Sequence, residues 1–407
     1  MGTHSHTTYN FDERFEFAGK AKSWSLAAIA IGILAIAAGF FVEGSHRMFA
    51  NLLLMGYYFT CVCAAGACFI AIQFVAQAGW PTGLLRVPQA MASVLPIAAI
   101  ILIAIMAFGL FSHNLYHHWY EEGLTDPNSP NYDAIIAGKS GFLNVPAFFS
   151  RQVIFLAAYS ILGAFIAKFS YREDLEGGLN SYKRSFKCSA IFLVIFGFTS
   201  PIWIFDTVMS LEAHWFSTMF GWYNFAALFV SGLCVITLIT ILLKRAGYLA
   251  WVNENHLHDL GNLIFGFSIF WTYVWFAQFM LIWYANMPEE TVYFYKRWEP
   301  EYKPWFWLSI IVNFVAPVLI LLDRDVKRKE NLMLFMCVLL LLGHYLDYYI
   351  MIMPGTVESH RGFGLSEIGA ILSFGGLFTF LVLKNLSKHA LAPKNHPFLE
   401  ESLHHQV

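Results

Sequence analysis

A chain of 407 residues that is 58% hydrophobic, 18% aromatic and only 13% charged is too apolar for a soluble domain, in which about a quarter of the residues carry charge. Its net charge of -2 comes with Lys and Arg confined to short connections, so it offers no basic stripe to a nucleic acid. The composition is that of an integral membrane protein.

The N-terminal segment, residues 1–24, sets Arg14, Lys20 and Lys22 against Asp12, Glu13 and Glu16. The apolar run after it is longer than the core of a secretory signal and reads as a retained first helix, despite the small residues Ala35 and Ala37. A membrane span needs about 20 apolar residues. Ten stretches qualify, at 25–42, 49–77, 91–112, 146–169, 186–205, 222–243, 260–284, 305–322, 332–352 and 365–383. The expected fold is therefore all-α and polytopic, a ten-helix transmembrane domain over 25–383 with a cytoplasmic tail at 384–407. Acidic segments at the ends of the fifth and ninth helices, four helices apart, predict two four-helix bundles, helices two to five and six to nine. The first and tenth helices are then peripheral.

Orientation follows from the basic residues. With a cytoplasmic N-terminus, 18 of the 25 Lys and Arg residues fall inside and seven outside (Arg47, Lys139, Arg151, Lys296, Arg297, Lys303 and Arg361), the bias of the positive-inside rule. Both termini are then cytoplasmic. A topology reporter after Val407 or at Lys183 should read cytoplasmic and one at Asn131 external; a cytoplasmic signal at Asn131 would reverse the orientation.

All six cysteines, Cys61, Cys63, Cys68, Cys188, Cys234 and Cys337, lie in apolar stretches and read as small packing groups, not as disulfides. The first three form C-x-C-x4-C, which lacks the spacing of a cluster frame. Pro96, Pro201 and Pro317 interrupt helices three, five and eight, each removing a backbone donor. The long connection at 113–145 carries His113, His117, His118, Glu121 and Glu122 and reads as a partner-docking segment. Its histidines lack a regular ligand frame and read as surface residues.

Ionisable groups at membrane depth need a partner or water, which makes them candidates for function. The fifth helix passes Pro201 and reaches Asp206, then Glu212 and His214 among aromatics; Glu212 and His214 fit a solvated loop equally well. Asp259, at the cytoplasmic start of the seventh helix, fits a helix cap or a proton-uptake group. Gln278, further along that helix, and Glu367, which begins the tenth on the outer side, join Glu212 and His214 as candidates for an outer polar or quinol site. His344 and Asp347 are three residues apart and share a helical face; they fit a proton relay or a polar contact that joins helices. On the predicted topology Asp206, His344 and Asp347 all lean outward.

Only His344 among the histidines lies within a predicted span, so a bis-histidine haem has no ligand pair, and C-x-x-C-H and glycine-rich phosphate loops are absent. The chain is expected to hold no metal. Acids, histidines, tyrosines and tryptophans remain, a set suited to a quinol, whose oxidation releases two protons inside an apolar pocket.

Three segments, FDTVMSLEAHWFSTMFGWY at 205–223, QFMLIWYANMPEET at 278–291 and GHYLDYYIMIMP at 343–354, resemble the NrfD and polysulfide-reductase family of membrane subunits. Within it they are most similar to the second such subunit of bacterial alternative complex III. The resemblance implies a cofactorless membrane subunit of a quinol:cytochrome c oxidoreductase in a bacterial cytoplasmic membrane. Its implied partners are a sister membrane subunit, an iron-sulfur protein and multihaem cytochromes c. It also implies proton-path roles for Asp206, His344 and Asp347. The alternative is a secondary transporter with a polar site between two helix bundles.

Overall fold

The structure, a computed structural model, describes residues 9–357 and 362–406; Arg361, one of the seven basic residues assigned to the outer side, lies outside the described residues. Among these, ten helices are long and apolar enough to cross a membrane: α1 Gly19–Glu43, α2 Ser45–Ala76, α3 Arg86–Phe111, α4 Val145–Glu176, α5 Asn180–Thr207, α6 Met219–Arg245, α7 Glu254–Ala285, α8 Lys303–Leu321, α9 Glu330–Thr356 and α10 Leu365–Leu386. No β-strand is present among the described residues, and the protein is an all-α, multi-pass membrane protein. Several helices outrun their predicted spans. At 1.5 Å per residue a helix of 32 residues, such as α2, α4 or α7, is about 48 Å long, so its polar ends leave the hydrocarbon.

Neighbouring helices close two rings, α2–α3–α4–α5 and α6–α7–α8–α9, which meet where α2 and α5 touch α6 and where α9 touches α2. The core lies at that seam. Both α2 and α6 are buried along most of their length. α1 packs on α10, which in turn packs on α2. The α1–α10 contact is close because small residues face each other: a Cβ at Gly32 would run into the backbone of Ser373, and one at Gly369 would sit 2.8 Å from the Ile36 nitrogen. The rest of α1 presents Ile31, Leu34 and Phe41 outward, as a lipid-facing helix should.

The prolines act in three ways. Pro96 follows a turn at Ser93 and Val94 that interrupts α3. Pro201 stays inside a continuous α5 and packs against Gly221 of α6. Pro317 follows a π turn at Ile311–Val315, whose wider backbone relieves the clash of a proline ring with the carbonyl four residues earlier. All six cysteines are free thiols.

The two chain ends meet on one face, called here the terminal face. Arg14 bridges to Ala390, the Leu391 amide donates to the Glu13 carbonyl at 2.9 Å, and Lys394 pairs with Asp12 at 2.8 Å. The tail is folded against the body: Ser402, in a short helix Leu399–Leu403, donates to the Trp80 carbonyl at 2.8 Å and accepts from the Gly83 amide at 3.0 Å. Asp259 is not the cap of α7. The helix starts five residues earlier, and Asn253 caps it by accepting from the Asn255 and His256 amides. Asp259 instead pairs with His405 of the tail at 2.8 Å and with His258 at 3.2 Å.

Candidate functional site

Asp347 on α9 lies beside both an unpartnered histidine and a cavity. It is buried, and its carboxylate accepts from the Tyr223 hydroxyl of α6 and from the Trp271 indole of α7 at 2.9 Å. His344, one helical turn away, brings Nδ1 to 3.7 Å from the same carboxylate, a distance that leaves the pair close but not hydrogen-bonded. His344 is fully buried with both ring nitrogens unpartnered among the described residues. A buried polar group left unpaired costs free energy, so a proton or a water has a use there.

A cavity of about 20 Å³ adjoins Asp347, lined also by Tyr223, Gln278, Tyr293, Arg297 and Ser309. That is room for about one water. Gln278, from α7, is buried and its Oε1 has no partner among the described residues; the same holds for Nε of Arg297. Arg297 ends the short helix Pro288–Arg297 and is 1% exposed. One guanidinium nitrogen donates to the Tyr293 carbonyl at 2.7 Å; the other donates to Glu212 Oε1 at 2.6 Å and to the Met351 carbonyl at 3.1 Å. The guanidinium also lies 3.3 Å from the centre of the Tyr293 ring. Burial alone would strip its proton more easily, but the Glu212 carboxylate outweighs this and Arg297 stays charged.

Glu212 faces a second space. It lines a cleft of about 330 Å³ together with His118, His214, Glu289 and Lys296. The Arg297–Glu212 pair therefore stands between the Asp347 cavity and the cleft. A third space, about 520 Å³, is an aromatic groove between α7 and α8 lined by Tyr273, Phe276, Phe279, Trp298 and Trp307; it shares Trp275, Phe306 and Ile310 with the Asp347 cavity as common wall.

The other acids do not join this group. Asp206 is fully buried and is held by Arg151 of α4 through two hydrogen bonds, at 2.7 and 2.8 Å. Glu367 is held by Arg47 at 2.7 and 2.9 Å and by Asn51 at 2.8 Å, and accepts from the Gly364 amide in capping α10. The three proton-path candidates therefore stand apart: Asp206 is held by Arg151, while Asp347, with His344 nearby, accepts from Tyr223 and Trp271. His214 is half exposed and binds Asp133 at 2.6 Å, outside the Asp347 cavity. Among the described residues no three His, Cys, Asp or Glu side chains gather with metal-ligand spacing.

His214 and Asp133 instead fasten the 113–144 connection, which Lys139 also ties down by donating to the Ala213 carbonyl at 2.7 Å. Asp133 is held below its ordinary pKa of 3.8, chiefly by the hydrogen bond with His214. Burial drops His118 from 6.5 to about 4. Both folded values lie below the unfolded ones, so the stability they contribute is complete above the unfolded pKa and is lost as the pH falls through the folded one. Hydrogen exchange of the 113–144 amides, corrected for intrinsic rate, should therefore lose protection mainly between pH 6.5 and 4. Flat protection across that range would contradict the assignment.

The residues that sequence reasoning missed are the partners: Arg297, Arg151, Arg47, Tyr223 and Trp271. The arginines were visible, but only as evidence of orientation. No model of a known protein family matches the chain, and no curated protein matches it.

Proposed function

We propose that this chain is a membrane subunit of a bacterial quinol:cytochrome c oxidoreductase, and that the group around Asp347 accepts and relays quinol protons. The observation that carries this reading is the Asp347 cavity: acceptors inside an apolar bundle, with an aromatic groove against one wall and an ion pair leading to a polar cleft. A quinol is a ring with two hydroxyls on an apolar tail. The groove offers aromatic surface to the ring. Behind the shared wall of Trp275 and Phe306 the cavity, with room for about one water-sized group, offers Gln278 Oε1 and the Asp347 carboxylate as acceptors once those side chains move to admit a hydroxyl. His344, uncommitted at both nitrogens, takes the next proton from Asp347, and release runs past Arg297 and Glu212 into the cleft. Asp206 with Arg151 forms a separate buried pair that serves the first ring. The electrons leave to partners: the sister membrane subunit, an iron-sulfur protein and multihaem cytochromes c. The terminal face is the cytoplasmic one.

The transporter reading needs helices unwound at the middle of the membrane. α5 runs unbroken through Pro201, α8 stays helical through its π turn, and the turn at Ser93 and Val94 falls in the first third of the Arg86–Phe111 span and not at its middle, which favours the first reading.

Purification from native membranes in a mild detergent, with a visible spectrum and subunit identification, tests the assignment. The chain should travel with haem proteins; a chain that is stable and active alone, without them, would overturn it.

A further inference from the structure

We infer that Glu173 is a proton-binding site at the terminal face, roofed by the C-terminal tail. The inference does not rest on the quinol reading, since it concerns the opposite end of the other ring. Glu173, near the end of α4, is 0% exposed, and neither of its carboxylate oxygens has a partner among the described residues. The Arg86 guanidinium, itself buried, acts on Glu173 only electrostatically: its terminal nitrogens donate to Asp174, to Gln89 Oε1 at 2.6 Å and to Ser170 Oγ at 3.4 Å, and its Nε has no partner among the described residues. On α5, Tyr182 lies within electrostatic range of Glu173, is 8% exposed and has an unpartnered hydroxyl.

The tail closes the site. Asn395 donates to the backbone carbonyls of Glu173 and Asp174 at 3.1 and 3.0 Å. His396 sets its ring 5.3 Å from that of Tyr182. Lys394, paired with Asp12, acts on Asp174. The charged groups acting on Glu173 are Asp174 and Arg86, with Tyr182 in range; His396 stands behind Tyr182, and Lys394 and Asp12 behind Asp174, and none of them hydrogen-bonds its carboxyl oxygens.

A carboxylate without water or partner is costly, and the cost is relieved by holding a proton. A protonated carboxyl is both donor and acceptor, so it can hand that proton on. Inward along the α4–α5 contact stand buried Ser185 and Ser189, the latter with an unpartnered hydroxyl. Outward, the seam held by Asn395 is the route to solvent. Glu173 therefore takes up its proton from the aqueous side when the tail seam opens.

Infrared spectra of the purified full chain in nanodiscs test this at neutral pH. The wild type should show a protonated-carboxyl band that shifts in heavy water, that is lost in Glu173→Gln and that reappears displaced in Glu173→Asp. Asn395→Ala should speed hydrogen-deuterium exchange of that band several-fold. Superimposable carboxyl regions in wild type and folded Glu173→Gln would overturn the site, and an unchanged exchange rate in Asn395→Ala would overturn the roof. Should Glu173→Gln fail to fold, a hydrophobic carbodiimide, which attacks protonated carboxyls, decides on the wild type: a Glu173 adduct by peptide mass spectrometry supports the site, and unmodified Glu173 beside a modified control carboxyl rejects it.

Discussion

Replacing Arg297 by methionine should destabilise the protein more than any other single change at the Asp347 site. The guanidinium is 1% exposed and Glu212, its partner, has a side chain only 8% exposed. Removing one member of a buried pair leaves an uncompensated charge and costs about 3–5 kcal/mol. The Tyr293 and Met351 carbonyls lose a donor at the same time. Methionine keeps most of the apolar stem, so the loss reports charge and hydrogen bonds more than volume. Glu212→Gln should cost less, because Arg297 keeps both carbonyls and its contact with the Tyr293 ring. The double variant Arg297→Met with Glu212→Met should recover part of the loss, since no lone charge remains. Thermal unfolding in detergent measures all three. A single Arg297→Met as stable as the wild type would mean the pair carries no structural weight.

The second large effect is at Arg151, and it is asymmetric. Asp206 is fully buried while the Arg151 side chain is 19% exposed, and Arg151 also donates to the Phe142 carbonyl at 2.8 Å and stacks on the Phe142 ring. Arg151→Met strands the buried carboxylate and should cost about 3–5 kcal/mol. Asp206→Asn leaves an arginine that still has the Phe142 carbonyl and water, so it should cost clearly less. Equal losses, or a larger loss in Asp206→Asn, would contradict the burial that the pair shows.

These two arginines mark where the sequence stopped being readable. Spans are legible because apolar runs of sufficient length have one use in a bilayer, and all ten expected spans overlap observed helices. Their ends are not, since helices continue past the hydrocarbon wherever capping permits: α7 reaches back to Glu254 because Asn253 and His256 form a capping box, which moved Asp259 into the second turn. Asp347 and His344 stood out as ionisable groups in an apolar run, and their helical spacing correctly brought them near each other. Their hydrogen-bond donors could not be found that way, because Tyr223 and Trp271 come from 124 and 76 residues away. One signal was available for the arginines. Buried carboxylates need cations, only seven Lys and Arg residues were assigned to the predicted outer side, and three of them, Arg47, Arg151 and Arg297, hold Glu367, Asp206 and Glu212.

On the proposed function, Asp347 cycles a proton released from a quinol. An amide can keep the Trp271 bond at its oxygen and donate its NH2 to the Tyr223 oxygen, reversing that bond, but it cannot gain and lose that proton. His344→Phe removes the neighbouring acceptor as well as any proton exchange on the ring. The decisive measurement is quinol oxidation with external proton release by the whole complex in liposomes, comparing wild type with Asp347→Asn. Asp347→Asn should give an assembled complex with a normal haem spectrum whose turnover falls at least tenfold. Wild-type turnover in an assembled Asp347→Asn complex would contradict this role.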